Sequence, residues 1–218
     1  MPDDRIVYRG GNGEYIEKKS RFIAAVIPIS SEQEAIDFIE RTKKQYWDAS
    51  HNCSAYTLGE HHELTHCSDD GEPSSTAGRP MLDVLLNENI HNACVVVTRY
   101  FGGTLLGTGG LVRAYQAAVK EGLSASELAI RRTGFPITIR TDYNFVGKLR
   151  HLAEQHSLTV TGTQYTENVE FSVLATEENV TAFCDDVTEL TAGRAIIIKN
   201  DPVLFCDTSD GPVYLSRR

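Results

Sequence analysis

The chain has 218 residues, of which 41% are hydrophobic and 23% are charged, proportions that are ordinary for a globular protein of one or two domains. Its formal net charge of −9 argues against indiscriminate nucleic-acid binding over the whole surface, although a local basic patch is compatible with it. No apolar run approaches the ~20 residues of a membrane span, and five cysteines without paired spacing are typical of free thiols. We therefore expect a cytoplasmic protein with no membrane partner.

The first half of the chain is rich in predicted strands. Strands are expected over residues 5–9, 14–18, 21–29 and 51–58, where β-branched and aromatic residues are frequent. Ser31 and Glu34 form a capping box, which predicts a helix that ends near Tyr46. Residues 59–80 are polar and are interpreted as one long loop, and Pro80 suits the first turn of the next helix.

Residues 94–122 combine a predicted strand, a glycine-rich loop and a helix. The run 94–97 is apolar throughout and indicates a strand buried on both faces. Helical spacing begins at Leu111, and Gly122 is expected to end the helix. Five glycines occur within nine residues between the strand and the helix. Since each glycine costs backbone entropy on folding, they are not explained by stability and instead indicate close approach of a ligand or another backbone.

A loop of this kind before a helix N-terminus presents backbone N–H groups to an anion. Nearby cations and aromatic rings would add the charge and stacking surfaces that single-stranded RNA needs, if the strands bring them together. The residues predicted to bind an anion or RNA are Lys19, Arg21, Arg99, Tyr100, Gly102, Gly103, Gly107, Gly109, Gly110 and Arg113.

The glycine pattern matches no nucleotide-binding fingerprint. The P-loop requires Gly-Lys-Ser/Thr at its end, whereas Gly107 is followed by Thr108 and Gly109. The dinucleotide pattern requires a third glycine where this chain has Val112. A tight strand-to-helix crossing without any ligand is the alternative interpretation.

Three carboxylates lie around a glycine in the polar segment, at Asp69, Asp70 and Glu72. Oxygen ligands of this kind could hold Mg²⁺ or Ca²⁺, and a metal-assisted hydrolase is the alternative function that they indicate. The spacing is too short for an EF-hand loop. We favour a second interpretation, in which the carboxylates bind arginines or backbone N–H groups and organise the loop.

The histidines and cysteines of the first half lack the paired spacing of a structural zinc site. We therefore expect no zinc site, and no cofactor is predicted. Cys53 near His51 could form a thiolate pair, but a small thiol on a strand is commonly part of a core. The residues considered are His51, Cys53, His61, His62, His66 and Cys67.

The second half has the order β-α-β-β-α-β, which is typical of the ferredoxin-like arrangement. The expected strands are 135–139, 157–163, 168–175 and 195–198, and the expected helix caps are Asp142 and Thr176. Residues 207–218 are polar and are expected to be loosely held. We place the domains at 1–132 and 133–218.

The second half lacks the features of an RNA-binding sheet. It has twelve acidic residues against seven Lys and Arg, and Phe171 should point away from the open face of the sheet. We expect this domain to position the first one or to meet a protein partner. The residues expected on the open face are Thr138, Arg140, Thr159, Thr161, Glu170 and Ser172.

Six short motifs in this order and spacing make the chain resemble the IMPACT/YigZ family. Ser75 and Gln116 stand where the family commonly has glycine. The motifs are residues 18–23 (KKSRFI), 51–55 (HNCSA), 68–73 (SDDGEP), 76–82 (TAGRPML), 99–103 (RYFGG) and 107–115 (GTGGLVRAY).

This resemblance implies an α+β protein with a ribosomal protein S5 domain 2-like domain followed by a ferredoxin-like domain. Such a pair is similar to the last two domains of the ribosomal translocase elongation factor. The resemblance also implies a link to translation, because eukaryotic members regulate translation by binding a partner of a stress kinase. We therefore expect a translation-associated regulatory or binding protein that contacts RNA, a nucleotide phosphate or the ribosome. A binding protein is expected in preference to an enzyme.

Overall fold

The structure is a computed structural model that describes residues 4–208 and 211–215. The chain divides by its contacts into two compact units, Met1–Ile130 and Arg131–Arg218. Both units combine helices with mainly antiparallel strands, which confirms the α+β class. Among the described residues, no helix has both the length and the apolar character needed to cross a membrane.

A sheet of five antiparallel strands forms the centre of the first unit. The elements of this unit are β1 (Arg5–Arg9), β2 (Asn12–Glu17), β3 (Ser20–Pro28), α1 (Glu32–Gln45), β4 (His51–Leu58), β5 (Leu64–Ser68), α2 (Gly78–Asn87), β6 (Ile90–His91), β7 (Ala93–Tyr100) and α3 (Gly107–Ser124), followed by the start of β8 (Glu127–Thr141). The order in the sheet is β2-β3-β7-β4-β5, and β1 pairs with β6 and with the start of β8.

The central strand β7 is covered on both faces, as its uninterrupted apolar run predicts. Val95 and Val97 contact the core beneath α2 and α3, whereas Cys94 and Val96 face the cluster that contains Phe38 of α1. All four β7 residues are fully buried. The prediction of a strand buried on both faces is confirmed.

Three predictions for the first unit are wrong. The segment predicted as one loop contains β5, which pairs with β4 and whose exposed side chains leave no apolar alternation to detect. Helix α3 begins at Gly107 rather than at Leu111, because its exposed first turn has no apolar face. Gly122 lies inside α3, where an added Cβ would be 3.0 Å from the Cβ of Ala24. It allows α3 to approach β3 closely.

The second unit has the ferredoxin-like arrangement that its element order predicts. After β8 come a 3₁₀ turn (Tyr143–Phe145), α4 (Val146–Gln155), β9 (Thr159–Tyr165), β10 (Val169–Thr176), α5 (Glu177–Leu190), β11 (Ile196–Lys199), β12 (Val203–Thr208) and β13 (Gly211–Leu215). Its four antiparallel strands have the order β9-β10-β8-β11. Strand β12 pairs with the first part of β8 in this unit, and β13 pairs with β12. Ile137, Ile139 and Phe171 are fully buried in the core with residues of α4 and α5.

Local details of the second unit differ from expectation. Neither Asp142 nor Thr176 makes a side-chain capping hydrogen bond. Residues 211–215 form β13, which pairs with β12 rather than being loosely held; residues 209, 210 and 216–218 lie outside the described residues. The sequence does not predict this strand, because its half-buried residues lack clear alternation.

Candidate functional site

The N-terminus of α3 has no side-chain cap. Leu106 occupies the N-cap position and cannot accept a hydrogen bond through its side chain. The N–H groups of the first helical turn, from Gly107 to Gly109, are therefore available on an exposed surface that favours negative charge. Gly107 has φ +70, a left-handed conformation that glycine adopts without strain.

The glycine-rich segment lies directly against the hairpin that joins β2 to β3. A Cβ added to Gly102 would be 2.1 Å from the carbonyl carbon of Lys19, and the Gly102 N–H donates to the Ser20 hydroxyl at 3.1 Å. Lys18 and Lys19 form the turn with φ +46 and +68, a geometry for which Asn-Gly is the usual sequence. Gly102 thus permits a close approach that brings an exposed lysine to the loop before α3.

The four predicted cations fall into two groups. Arg21 pairs with Glu14 at 2.7 Å, and Arg99 pairs with Glu72 at 2.6 Å. Lys19 and Arg113 are exposed, and neither has an ion-pair partner among the described residues. Tyr100, also in the predicted set, donates its hydroxyl hydrogen to Asp48 at 2.9 Å.

Asp69 holds the acidic loop together. One carboxylate oxygen accepts from the N–H groups of Ala77 at 3.0 Å and Gly78 at 2.8 Å, and the other accepts from Ser75 at 2.8 Å. Ser75 has φ +60, which explains in physical terms why glycine suits this position. Asp70 fixes the same loop from its other side, accepting from the Asn52 N–H at 2.7 Å and from Lys43 at 2.5 Å.

The organised loop places Glu72 in a buried network. Its Oε1 atom accepts from Arg99 Nη1 at 2.6 Å and from the Tyr115 hydroxyl at 2.7 Å. Only 3% of the Glu72 side chain and 7% of the Arg99 side chain are exposed. Arg99 Nε is buried with no hydrogen-bond partner among the described residues. Such a charge pair is stable only while both partners are present.

Cys53 lies under this network and is unsuited to act as a nucleophile. Its sulfur is 3.3 Å from the Tyr115 hydroxyl oxygen and 3.0 Å from the Asp69 carbonyl oxygen. Burial raises the pKa of the Cys53 thiol to about 12, and burial likewise raises the pKa of Tyr115. Both groups therefore keep their hydrogens at neutral pH, and the thiolate pair considered for Cys53 and His51 has no thiolate.

His51 stands opposite Glu72 with its ring orientation fixed. Its Nδ1 atom is 2.9 Å from the carbonyl oxygen of Asp70, which can only accept, so Nδ1 carries a hydrogen. In the neutral ring Nε2 then has the free lone pair, and it lies 3.8 Å from Glu72 Oε2. With the ring in its neutral form, two hydrogen-bond acceptors therefore face each other across this gap.

His51 and Glu72 form the polar floor of a cleft of about 510 Å³ at the start of α3. Its rim is apolar and strongly exposed, with 49% of Phe101 and 83% of Leu105 accessible. The guanidinium carbon of Arg99 lies 5.7 Å from the centre of the Phe101 ring, within the range of a cation–π contact. The lining residues are Ser50, His51, Glu72, Pro73, Arg99, Phe101, Leu105, Leu106, Gly107, Thr108 and Leu111.

The three predicted acidic residues do not converge on one point. Asp69 binds loop N–H groups, Asp70 binds Asn52 and Lys43, and Glu72 binds Arg99 and Tyr115. Among the described residues there is no group of three or more His, Cys, Asp or Glu side chains that could hold a metal ion. Among the described residues, these contacts favour the loop-organising interpretation over a metal site.

Sequence reasoning does not identify the acceptor pair at the floor of the cleft. His51 and Glu72 are separated by a loop, and their proximity depends on how Asp69 and Asp70 fold that loop. The spacing of Tyr115 indicates only that it belongs to the apolar stripe of α3. The sequence does contain the motifs at 51–55, 68–73 and 107–115 in one domain. This co-occurrence suggests that the three motifs contribute to one site, but it does not predict the distances between their side chains.

Two family descriptions match the chain, one in each unit. The Impact N-terminal domain matches residues 18–123, and Domain of unknown function (DUF1949) matches residues 139–194. The chain is 44% identical over 191 residues to IMPACT family member YvyE of Bacillus subtilis, covering 88% of each protein. It is 32% identical to IMPACT family member YigZ of Escherichia coli, covering 81% of this chain and 87% of that one.

More distant matches cover the fold or the first unit. A solved structure titled "Crystal structure of an hypothetical protein" superposes with a TM-score of 0.55 at 28% identity, covering 92% of this chain and 98% of that chain. Protein IMPACT of Mus musculus is 32% identical over 96 residues, 42% of this chain and 30% of that protein. A two-unit α+β protein whose first unit matches the Impact N-terminal domain is an IMPACT-type protein. The chain belongs to the IMPACT family.

Proposed function

We propose that this protein is a translation-associated binding protein whose first unit contacts single-stranded RNA, alone or as part of the ribosome. The link to translation comes from the family, whose eukaryotic members regulate translation. The mode of contact is suggested by the uncapped start of α3, by exposed Arg113 beside it, and by exposed Lys19 against the loop that precedes it. Backbone N–H groups and unpaired cations together suit a phosphate group.

The ion pairs of this region support different proposed roles for the four predicted cations. Arg99 and Arg21 are held by carboxylates, so they stabilise the site, while Lys19 and Arg113 contact phosphate. Arg113 lies next to the first turn of α3, since its Nη1 atom would be 3.6 Å from a Cβ added to Gly109. The second unit then meets a protein partner or positions the first unit.

The test is the affinity for single-stranded RNA of the double variant Lys19→Ala and Arg113→Ala, measured over a range of salt concentrations. Each phosphate-binding cation removed should reduce the slope of log affinity against log salt by about 0.7, so the double variant should reduce it by about 1.4. The matched control is Lys44→Ala with Lys120→Ala, which removes the same charge from exposed positions on α1 and on the fourth turn of α3. Equal effects of the two double variants, or no effect of the first, would contradict the proposal.

A further inference from the structure

The cleft beside α3 has a polar floor and an apolar wall, a combination that selects a particular kind of ligand. Its volume of about 510 Å³ lies within the range of small-molecule sites. We call its apolar lining residues Phe101, Leu106 and Pro73 the wall, and its polar lining residues His51 and Glu72 the floor. A flat ring with one polar edge fits this arrangement, since the ring would contact the wall and its edge would reach the floor.

When His51 is neutral, the floor presents two acceptors, and no donor lies between them among the described residues. Glu72 Oε1 already accepts two hydrogen bonds, whereas Oε2 has no donor within hydrogen-bond distance among the described residues. His51 Nε2 is held toward Oε2 because Nδ1 donates to the Asp70 carbonyl oxygen. The 3.8 Å between these two acceptors exceeds a direct hydrogen bond, but a single donor group can reach both.

The stacking wall is held in position before a ligand arrives. Phe101 is half exposed, and its ring is contacted by the guanidinium group of Arg99, which Glu72 fixes in turn. The same Glu72 carboxylate thus orients the wall through one oxygen and offers its other oxygen to the ligand. A preorganised aromatic face favours stacking of a nucleobase, because less conformational entropy is lost on binding.

We propose that this cleft binds an unpaired nucleobase that carries an exocyclic amino group, with His51 Nε2 and Glu72 Oε2 accepting from the amino hydrogens and Phe101 stacking on the ring. This inference rests on the proposed function, since the phosphate of the same nucleotide would lie at the neighbouring start of α3. Gly107 and Thr108 belong both to the cleft and to that helix start, which places the two subsites side by side.

Cytosine and uracil separate base recognition from phosphate recognition. The two bases have the same ring size and nearly the same shape, but cytosine has an amino donor where uracil has a carbonyl acceptor. The uracil oxygen would face two further acceptors across the floor. Matched-length oligocytidylate and oligouridylate have equal phosphate charge, so a difference in affinity reports the base.

The experiment measures affinity of the full chain for both oligonucleotides in the wild type and in four single variants. His51→Ala should reduce the preference for oligocytidylate by about three- to tenfold, the value of one hydrogen bond, and leave oligouridylate unchanged. Phe101→Ala should weaken both oligonucleotides by about fivefold or more. His61→Ala and Tyr165→Ala are the controls, because they remove an exposed histidine and an exposed tyrosine that do not line the cleft.

The outcomes distinguish this inference from the proposed function. A cytidine preference that disappears in His51→Ala supports the inference. Equal affinity for both oligonucleotides, still reduced by the Lys19 and Arg113 double variant, would overturn base recognition while leaving phosphate binding intact. Absence of binding to either oligonucleotide would overturn both. Phe101→Ala keeps the test decisive if His51→Ala folds poorly, because the Phe101 side chain is half exposed. Unchanged affinity of Phe101→Ala for both oligonucleotides would also overturn the inference.

Discussion

At the residue scale, the site depends on one buried carboxylate. Glu72 is the shared partner of Arg99 and Tyr115, and it is held in place by the loop that Asp69 and Asp70 organise. Two charges removed from water are favourable only in good geometry, so the pair indicates a fixed site more than a source of stability. The acidic residues at 69, 70 and 72 are therefore explained by their contacts, which hold the loop and the Arg99 side chain in place.

Breaking this pair from one side should be costly. Glu72→Gln leaves the Arg99 charge buried without its counter-ion, and we expect a loss of about 3–5 kcal/mol in the free energy of unfolding. Urea titration measures it, and a variant that also has Arg99→Met should recover part of the loss. The matched control is Glu14→Gln, which breaks the exposed pair with Arg21 at a similar distance of 2.7 Å and should change stability little. Similar losses in both variants would contradict the account.

The buried thiols predict a specific dependence of stability on pH. Burial raises the pKa of Cys53 and of Cys94 to about 12, whereas the pKa of an exposed cysteine is about 8.5. Between these values the unfolded chain releases thiol protons that the folded protein keeps, so stability falls as pH rises. The slope should be about 1.4 kcal/mol per pH unit for each buried thiol above pH ~9.

Cys94→Ala tests this linkage by removing one of the two thiols. Urea titrations from neutral to alkaline pH should show a shallower fall for the variant than for the wild type, by the contribution of one group. Cys67→Ala removes a less buried thiol on β5 and serves as the comparison. Identical slopes for Cys94→Ala and the wild type would show that this thiol is accessible to water.

At the element scale, α3 connects the site to the core through its two ends. Its first turn is exposed and rich in glycine, whereas Gly122 near its last turn lies against β3. A Cβ at Gly122 would be 2.9 Å from the Val26 Cγ2 atom and 3.0 Å from the Ala24 Cβ atom. The glycines of the first turn thus leave the helix start open to a ligand, whereas Gly122 lets the other end of the helix pack closely on β3.

Gly122→Ala should destabilise the protein by about 1–3 kcal/mol despite the better helix propensity of alanine, because the new methyl group overpacks the core. Gly109→Ala is the matched control in the same helix, where only the Arg113 side chain is nearby and no loss is expected. Thermal or urea unfolding of both variants measures the difference. A stabilised Gly122→Ala protein would show that α3 and β3 are not in close contact.

The elements with local signals were predictable from the sequence. Ser31 caps α1 by accepting from the Glu34 N–H at 3.3 Å, and the buried β7 follows from its continuous apolar run. The exposed strand β5 and the half-buried strand β13 gave no such signal, because their pairing depends on a neighbouring strand and not on an apolar pattern. The site was only partly predictable for the same reason, since contacts such as that between Glu72 and Tyr115 join distant parts of the chain.

At the scale of the whole molecule, the two units differ in what they offer to RNA. On the exposed face of the second unit, Arg140 pairs with Glu170 at 2.6 Å, and Phe171 is fully buried on the other face. An RNA-binding sheet of this kind normally displays aromatic rings. We therefore predict that residues 131–218 alone bind single-stranded RNA much more weakly than residues 1–130, as measured by fluorescence anisotropy.

Circular dichroism and thermal unfolding of each isolated unit provide the control for folding, since each has its own apolar core. If residues 131–218 bind as tightly as the whole chain, the site does not lie in the first unit. The net charge of −9 supports the expectation that binding is confined to a local patch of the first unit.

Mapping of backbone amide chemical shifts shows whether RNA contacts the start of α3. On addition of a short single-stranded oligonucleotide, we predict the largest shifts at Gly107, Thr108 and Gly109, with smaller ones in the Lys19 turn. The amides of residues 131–215 should change little. Unshifted amides at the start of α3 while the second unit responds to the same titration would contradict the account.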